Sequence, residues 1–568
     1  MSGTITINST DLANAIKPQL LQMPEITQQP YSYIIYTDGT TVYAKNGYTG
    51  QIDFKGSDAS AVMQNVLNAL TNGGKIFIKN GDYIFTKRVF GYRSVVIEGE
   101  SMYNTRIIDN VDWTGTSYPT YGVITLAPEA SVIDFVHIRN LSIVKTDPLP
   151  ATSTGVALAV GFNGYVKKAI VENVYVYGMK YGVFTNAVLL FAENIIGESV
   201  QQNTISAWLN CKKVVMRNII HIAYPTEVAD DAVSINPAKN STVDYVLIDG
   251  LYADFTPAPS FHGWGAVDIA GFYDASAGIG NSYDHIQLRN ITSIGGRLLA
   301  AGSYYSSINR LELDGFKCYD TTKADQAWVG DGITITAPYK NQVIKNVTIR
   351  NGVLEKLYSR GILINVGESG TAPTPVPWSI VQDVLIENVM IKNCGVVPGG
   401  DPYCIKLALS SPSANPYLRR VYIHNVEVYD DQATPTTQYW LGFYVVGAGQ
   451  QILDQVRIDT VKIAGLANST VDGLNPSYIE YAYNLIGATQ PLTRASDKAV
   501  FSGDGVTTQF KIAHGLISTP NKIMVTPGSG DAKGVFYVTA DSTYIYVNYS
   551  TAPPSGTNNI VLYWYAEI

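Results

Sequence analysis

A four-residue pattern returns along most of this chain and constrains its fold more than any other feature. An apolar residue is followed by a polar one, then by Asn or Gly, then by a second apolar residue. Copies occur at residues 138–141, 171–174, 216–219, 248–251, 288–291, 313–316, 386–389 and 423–426. Such repetition is typical of a solenoid, in which each coil buries its apolar face against the next. We expect Asn173, Asn218 and Asn388 to be structural, at bends where Asn tolerates left-handed backbone geometry.

A second, strand-like repeat lies between these copies. Its first apolar residues are 156, 183, 233, 267, 333, 362, 405 and 443, with weaker copies at 203–207 and 296–300. Period-two alternation sends Val233 and Ile235 inward and Ser234 outward, and equivalent residues of successive coils lie about 4.8 Å apart. The predicted outward column is Ala157, Phe184, Ser234, Asp268, Leu299, Thr334, Leu363, Lys406 and Tyr444.

Composition excludes several classes of protein. The chain has 568 residues, 46% of them apolar and 15% charged, with a formal net charge of −8. The apolar content excludes a disordered chain, and the acidic balance without a long basic run argues against nucleic acid as a partner. No apolar run of about 18 residues predicts a membrane span, and the polar N-terminus lacks the pattern of a signal peptide. The 39 Tyr residues suit contact with sugar rings, although their β-propensity explains them equally well.

The chain has only four cysteines, Cys211, Cys318, Cys394 and Cys404. They are too few for a disulfide framework and show no zinc-like spacing. Cys394 and Cys404 flank a turn rich in Pro and Gly, and the sequence leaves open whether they pair or stay as buried thiols. The sequence also shows no strong calcium motif. We therefore expect no metal and no cofactor.

The pattern divides the chain into three parts. Residues 1–50 are distinct, with a short helix predicted near residues 11–22 and two strands around Asp38-Gly39. Residues 51–494 are predicted to hold the coils, preceded by a helix at about 59–71 that Asp58 caps and that covers the open end. A hairpin is predicted around Asn80-Gly81. Residues 495–568 alternate like the strands of a small antiparallel β-sandwich.

A resemblance to a known superfamily starts in the segment before the coils. The string Gly73-Gly74, Ile76-Phe77-Ile78 and Gly81-Asp82-Tyr83 resembles the entry segment of pectin-lyase-like right-handed parallel β-helices. The coils that follow fit the same superfamily, so the resemblance covers residues 50–490. It implies an all-β fold, a right-handed parallel β-helix with an N-terminal capping helix. The superfamily includes polygalacturonase-type hydrolases of glycoside hydrolase family 28, pectate lyases and viral tailspikes, so the fold alone does not fix the function.

The strand from Asp230 to Ile235 resembles the paired-Asp strand of family 28. There, one Asp is the general acid and neighbouring carboxylates activate water, and inverting hydrolysis needs two carboxyl groups about 6.5–9.5 Å apart. The resemblance also implies that Arg297 binds substrate and that His262 belongs to a His-Gly motif. Two alternatives remain open: the two Asp residues form a turn that bonds backbone N–H groups, and His262 is a loop residue.

Three positions depart from the family pattern. Asn203 stands in place of a further Asp, Leu299 replaces a Lys, and in strict register Trp264, not His262, falls on the family's His. Asp268 is expected to point outward on the next coil and to replace the lost partner of Asp231. The candidate site is therefore Asp230, Asp231, His262 and Asp268 as catalytic residues, with Arg297, Trp264, Asp331 and Arg360 as substrate-binding residues.

The fold and the absent signal peptide together favour a virion surface protein, which assembles inside the host and leaves with the particle. We expect a tailspike-like homotrimer, located at the virion surface or otherwise extracellular, that binds host-surface polysaccharide and is held by residues 1–50 to virion proteins. Whether it cleaves the glycan, by hydrolysis or as a lyase, stays open. Two other hypotheses remain: a polygalacturonase-like glycoside hydrolase outside a virion, and a non-catalytic adhesin, which Asn203 and Leu299 favour.

Overall fold

The computed structural model describes residues 31–114, 121–147, 155–238, 240–271, 280–302, 306–338, 342–367, 379–410, 416–446, 452–487 and 492–568. The helix predicted near residues 11–22 lies outside these ranges. Within them, the chain winds into coils that contribute strands to two long sheets, and almost all strand pairs are parallel. The fold is the right-handed parallel β-helix that the sequence predicts. No helix in the described part of the chain is long and apolar enough to cross a bilayer.

The larger sheet has twenty strands in the described residues. Their bounds are Tyr33–Thr37, Val42–Asn46, Ile52–Gly56, Gly74–Ile78, Gly81–Phe85, Val95–Gly99, Thr105–Asp109, Val132–Val144, Tyr165–Tyr177, Ala187–Val200, Lys213–Ala223, Thr242–Asp254, Asn281–Ile294, Ser306–Ile308, Leu311–Tyr319, Val343–Glu355, Ile380–Lys392, Tyr417–Tyr429, Ile452–Ala464 and Ile479–Ile486. Many of these strands run for 13 residues because each continues through a bend.

The smaller sheet has thirteen strands in the described residues. Their bounds are Val89–Gly91, Gly122–Leu126, Val156–Val160, Tyr181–Thr185, Ile205–Leu209, Val233–Pro237, Val267–Ile269, Leu299–Ala301, Ile333–Ala337, Ile362–Val366, Tyr403–Leu409, Tyr439–Val445 and Val471–Asp472. The inward side chains of both sheets fill one continuous apolar core. Val233, Ile235, Val267 and Ile269 are fully buried in it, as the alternation predicts.

The bends of the larger sheet carry what we call the asparagine ladder, Asn140, Asn173, Asn194 and Asn218 in the first coils and Asn351, Asn388 and Asn425 in later ones. All seven residues have a φ between +48° and +58°. Each side-chain amide after that of Asn140 donates to a side-chain oxygen of the preceding coil, for example Asn388 to Asn351 at 3.1 Å and Asn425 to Asn388 at 2.7 Å. At Gly315, the neighbouring Asp314 accepts from Asn351 instead. The predicted structural role of these residues is confirmed.

A helix covers the start of the coils. It spans Ala59–Ala69, and Asp58 caps it by accepting a hydrogen bond from the Ser60 N–H at 2.9 Å. Its buried face includes Val62, Met63 and Val66, which pack into the core of the coils. Two short 3₁₀ helices, Thr321–Lys323 and Ala327–Val329, lie in a loop between coils, and a third spans Pro476–Tyr478.

The predicted hairpin around Asn80-Gly81 is wrong. The strand Gly74–Ile78 pairs in parallel with Val95–Gly99, and Gly81–Phe85 pairs in parallel with Thr105–Asp109. The chain therefore turns a corner of the first coil at Asn80-Gly81 instead of reversing. Each strand finds its partner on the next coil, which a local turn signal cannot reveal.

The predicted outward column has the right face at most positions but the wrong register at three. Phe184 pairs with Ala159, not Ala157, and Lys406 pairs with Gly442, not Tyr444. Asp268 pairs with Ala300, whereas Leu299 is fully buried in the core. A shift of two residues preserves the alternation, and the all-apolar stretch 298–301 has no alternation to read.

The last residues form two three-stranded antiparallel sheets. One contains Arg494–Gly503, Lys522–Pro527 and Gly556–Glu567, and the other contains Gln509–Ala513, Phe536–Ala540 and Tyr544–Tyr549. Inward residues of both sheets, such as Ile512, Val547 and Leu562, share one apolar cluster separate from the core of the coils. The alternation of apolar residues in this part of the sequence is thus the alternation of two packed sheets.

Candidate functional site

The outer face of the smaller sheet brings Ser234 and Asp268 side by side, as predicted. The strands Val233–Pro237 and Val267–Ile269 pair in parallel with Ser234 opposite Asp268. The Ser234 hydroxyl donates to Oδ2 of Asp268 at 3.4 Å, and the Asn236 amide donates to the Ser234 hydroxyl oxygen at 2.5 Å. Both Ser234 and Asp268 are buried. This pairing of coils places Asp268 next to the strand that follows Asp230 and Asp231.

Asp231 is held by the backbone of a neighbouring loop. Its Oδ1 accepts hydrogen bonds from the N–H groups of Trp264 at 2.5 Å and Gly265 at 3.0 Å. The loop approaches so closely that a Cβ at Gly263 would lie 2.6 Å from the backbone carbonyl carbon of Asp230 and 2.8 Å from Oδ1 of Asp231. Glycine at position 263 therefore lets the two N–H groups reach the carboxylate.

Asp230, Asp231 and Asp268 form what we call the carboxylate cluster. Burial, followed by the charges of Asp230 and Asp268, raises the pKa of Asp231 well above its ordinary value. Burial and then the charge of Asp230 raise the pKa of Asp268 to about 7, and burial also raises the pKa of Asp230. Oδ1 of Asp268 is buried without a hydrogen-bond partner among the described residues. A carboxyl group in such surroundings holds its proton near neutral pH.

Arg297 supplies a buried positive charge beside the cluster. Its side chain is only 1% exposed and donates from Nη1 to the carbonyl oxygen of Trp264 at 3.4 Å. Burial lowers its pKa to about 10, while the carboxylates of Asp331, Asp231 and Asp268 act in the opposite direction. The guanidinium therefore partly offsets the negative charge of Asp331 and also that of Asp231 and Asp268 in the carboxylate cluster.

Asp331 and Arg360 lie further along the same face, where they bind each other. Arg360 donates to the fully buried Asp331 through Nε at 2.8 Å and Nη2 at 2.9 Å. Arg360 Nη1 and Lys406 Nζ both contact Oδ2 of Asp401, at 3.3 and 2.6 Å. Nη2 of Arg297 lies 3.9 Å from Oδ2 of Asp331. Arg297 therefore connects the carboxylate cluster to an ion network formed by Asp331, Arg360, Asp401 and Lys406. Asp401 and Lys406 were not among the predicted site residues, although Asp401 stands in the conspicuous Pro-Gly-Gly-Asp-Pro turn.

His262 and Asn203 flank the cluster in different ways. His262 is about half exposed, and its Nδ1 lies 2.7 Å from Oδ2 of Asp325. Its charge opposes the rise that burial causes in the pKa of Asp230, so it is near the cluster without being part of it. Asn203 is buried and donates to the backbone carbonyl oxygen of Asp231 at 3.4 Å. The Asn203 amide thus stabilises the backbone at a position where an Asp would add a further negative charge beside the carboxylate cluster.

An aromatic strip runs along the same sheet toward its N-terminal end. The strip is Phe90, Tyr121, Phe162, Phe184 and Trp208, and successive ring centroids are 5.2, 4.9, 5.9 and 5.1 Å apart. Trp208 pairs with Asn236 on the next coil, so the strip ends beside the residues that contact Asp268. Only Phe184 was predicted on this face, because the other rings fall outside the column that the alternation identifies.

The chemistry of the face follows from these groups. It combines an aromatic surface, carboxyl groups that can hold or accept a proton near neutral pH, and a guanidinium. Within the described ranges, no group of three or more His, Cys, Asp and Glu side chains is arranged to hold a metal ion.

Comparison with known proteins reveals no matching family model and no matching curated protein. Solved structures with similar coils include the A-module of mannuronan C-5 epimerase AlgE6 of Azotobacter vinelandii, with 12% identity over 76% of this chain and 95% of that one and a TM-score of 0.45. The catalytic domain of a GH87 alpha-1,3-glucanase has 16% identity over 75% and 67% of the two chains, with a TM-score of 0.42. The tailspike gp61 of Pseudomonas phage phi297 has 11% identity over 90% and 92%, with a TM-score of 0.37. These similarities concern the fold.

Proposed function

We propose that this protein binds a polysaccharide along the outer face of the smaller sheet and hydrolyses it at the carboxylate cluster. The observation that carries the proposal is the position of Asp231 and Asp268 on adjacent coils, both with a raised pKa. Burying several acceptors close to each other costs stability. If this face had only a structural role, we would expect apolar or amide side chains at these positions, as in the asparagine ladder of the larger sheet.

The environments of the carboxyl groups support separate roles. Asp268, whose pKa is about 7, keeps a proton that it can give to the leaving glycosidic oxygen as general acid. Asp230 is only half-buried on its surface; burial raises its pKa, and the charge of nearby His262 acts in the opposite direction. Asp230 is therefore the better candidate for activating water. Arg297 would stabilise the charge that remains after proton transfer.

The aromatic strip supports glycan binding next to this centre. Sugar rings stack their apolar faces on aromatic side chains while their hydroxyl groups meet polar ones. Trp208 and Tyr121 are partly exposed, and Asn236 and Ser234 lie beyond the end of the strip. We expect the chain of sugars to run along the coils, with the bond to be cleaved beside Asp268.

The role of a trimeric, tailspike-like virion protein is part of the same proposal. Its support within the described residues comes from the C-terminal sheets, where Val506, Met524, Val535 and Tyr537 are 65–81% exposed. Exposed apolar side chains on one unit favour contact between copies or with a receptor. In this proposal residues 1–50 hold the particle. A molar mass of three chains in solution is expected, and a monomer at micromolar concentration would contradict the spike.

The enzymatic part is tested by incubating the protein with host-envelope and pectic polysaccharides and measuring chain length. We expect shortened chains whose new reducing ends carry the elements of water, and a loss of about 10²–10⁴-fold in rate for Asp268→Asn, the range typical of general acid catalysis. Asp134→Asn is the matched control, because Asp134 lies on the larger sheet and is an exposed acid that pairs with the exposed Lys167. Products with a new double bond would instead indicate a lyase, and an unaffected Asp268→Asn variant would remove the site.

A non-catalytic adhesin is the second candidate, and one observation favours it. Oδ1 of Asp268 is buried, so a substrate must displace neighbouring groups to reach it. In an adhesin, Trp208→Ala would weaken polysaccharide binding while no polysaccharide is shortened by the unaltered protein. In the hydrolase, the same variant would raise KM, and Asp268→Asn would still bind glycan.

A further inference from the structure

Two of the four cysteines contact each other inside the β-helix. Sγ of Cys394 lies 3.5 Å from Sγ of Cys404, and both residues are fully buried. The other two cysteines have different contacts: Cys211 donates to the carbonyl oxygen of Ala207 at 3.8 Å, and Cys318 to that of Gly296 at 3.5 Å. All four are thiols in this structure. Only Cys394 and Cys404 are thus placed to react with one another.

The backbone on both sides of this contact is well held. The Cys394 N–H donates to the Thr437 hydroxyl oxygen at 2.8 Å, and the Thr436 hydroxyl donates to the Cys394 carbonyl oxygen at 3.0 Å. Cys404 lies within the strand Tyr403–Leu409. A disulfide has an S–S distance of about 2.05 Å, so the two sulfurs must approach by roughly 1.5 Å, which side-chain rotation can supply.

The loop between the two cysteines reaches the preceding coil. The N–H of Gly395 donates to the Ser359 carbonyl oxygen at 2.9 Å, and the N–H of Asp401 donates to the Ser359 hydroxyl oxygen at 3.1 Å. The Asp401 carboxylate accepts from Arg360 and Lys406. The segment 395–403 is therefore a strap that carries one carboxylate of the ion network.

We propose that Cys394 and Cys404 are a modification site that forms an intramolecular disulfide and closes this strap in an oxidising environment. The oxidant is a low-molecular-weight disulfide. One protein thiolate attacks it, forms a mixed disulfide and releases one small thiol. The second protein thiolate then attacks the protein sulfur of the mixed disulfide and releases the other small thiol. Two protein thiols thus lose two protons and two electrons, and the small disulfide is reduced to two thiols.

Burial decides when this exchange is fast. Burial and the neighbouring Cys394 raise the pKa of the Cys404 thiol, and the thiolate is the reactive form. We therefore expect the reaction to proceed quickly during folding and slowly in the closed protein. Once formed, the link restricts a loop of eleven residues in the unfolded chain and keeps Asp401 against Arg360.

The experiment compares the full chain refolded with oxidised glutathione and the full chain refolded with a reductant. We expect two of the four thiols to disappear in the oxidised sample, the intact mass to fall by about 2 Da, and a peptide map to join residues 394 and 404. Cys394→Ser should retain all its remaining thiols, whereas the matched control Cys211→Ser should still form the link. Four titratable thiols after oxidative refolding, or a link that Cys211→Ser abolishes, would overturn the proposal.

Amide hydrogen exchange tests the strap separately. Exchange at the Asp401 N–H should be at least several-fold slower in the oxidised protein than in the reduced one, while exchange at Asp320, on a loop without cysteine, stays unchanged. Equal exchange at Asp401 in both forms would overturn the closing of the strap even where the disulfide is present.

Discussion

The asparagine ladder and the carboxylate cluster arise from the same stacking of coils but have opposite contents. In the ladder, an amide N–H of one coil faces a side-chain oxygen of the coil before, at 2.7–3.1 Å for the pairs Asn388–Asn351 and Asn425–Asn388. In the cluster, Asp268 stacks on Ser234, the charge of nearby Asp230 helps to raise its pKa, and its Oδ1 has no hydrogen-bond partner among the described residues.

The difference shows which contacts between stacked coils stabilise the fold and which destabilise it. A donor stacked on an acceptor contributes a hydrogen bond at every coil, so repetition stabilises the fold. Acids that are buried near one another cost free energy through desolvation and repulsion, and the pKa of each acid rises in response. A catalytic role is therefore the best explanation for positions where buried charged groups destabilise the fold.

The largest expected effect is a gain of stability from Asp268→Asn that depends on pH. The folded carboxyl has a pKa of about 7 against an ordinary 3.8, so the folded state holds a proton that the unfolded chain has lost between these values. The stability of the unaltered protein therefore falls as pH rises from about 4 to about 7. The variant lacks this loss, and its advantage should approach about 4 kcal/mol above pH 7 and vanish below pH 4.

Urea unfolding of both proteins at pH 4 and pH 8 measures this effect. Asp134→Asn serves as the control, since Asp134 is an exposed acid on the larger sheet. If Asp268→Asn and the unaltered protein lose stability in parallel between these pH values, ionisation of Asp268 does not destabilise the folded protein.

A smaller effect is expected from Asn388→Ala in the middle of the ladder. Alanine loses both side-chain hydrogen bonds and must adopt the φ of +53° that Asn388 has. We expect a loss of about 2–3 kcal/mol in the free energy of unfolding. Asn388→Gly removes the same hydrogen bonds without the backbone cost, so it should lose about 1 kcal/mol less. Equal losses for the two variants would mean that the left-handed backbone carries no cost here.

The smallest effect is a gain from Gly315→Asn. Gly315 has a φ of +72°, which Asn tolerates. A Cβ there would lie 3.2 Å from Oδ1 of Asn290, so the Asn290 side chain must shift by a few tenths of an ångström before the new amide extends the ladder. We expect a stabilisation of about 0.5 kcal/mol, seen as a small rise in the midpoint of thermal unfolding. A lower midpoint would show that the ladder has no room for a side chain at this coil.

Much of the fold could be predicted because it follows from short-range patterns that repeat. The Asn-bearing bends, the inward Val and Ile residues and the helix capped by Asp58 are each set by a few neighbouring residues. The hairpin around Asn80-Gly81 failed because a tight turn and a corner between parallel strands use the same residues. Leu299 was placed on the wrong face because its neighbours are all apolar, so only the pairing with Val267 decides its direction.

The candidate site depends on pairing between coils, so some of its contacts could be predicted from the sequence and others could not. The approach of Asp268 to Ser234 follows from the repeat itself. The hydrogen bonds from Trp264 and Gly265 to Asp231 come from the shape of an irregular loop, and the pairing of Arg360 with Asp331 depends on side-chain reach across coils. Of the aromatic strip only Phe184 was predicted, because Tyr121 and Phe162 lie just outside the strands and the strip does not follow one column of the repeat.

The ladder also has a direction. Every amide in it after that of Asn140 donates toward the coil that precedes it in the chain, and the helix Ala59–Ala69 covers the end from which the coils begin. A coil that emerges from the ribosome thus meets an unused oxygen already presented by the finished part of the protein. Synthesis and assembly can run the same way along the molecule, each completed turn serving as the template for the next.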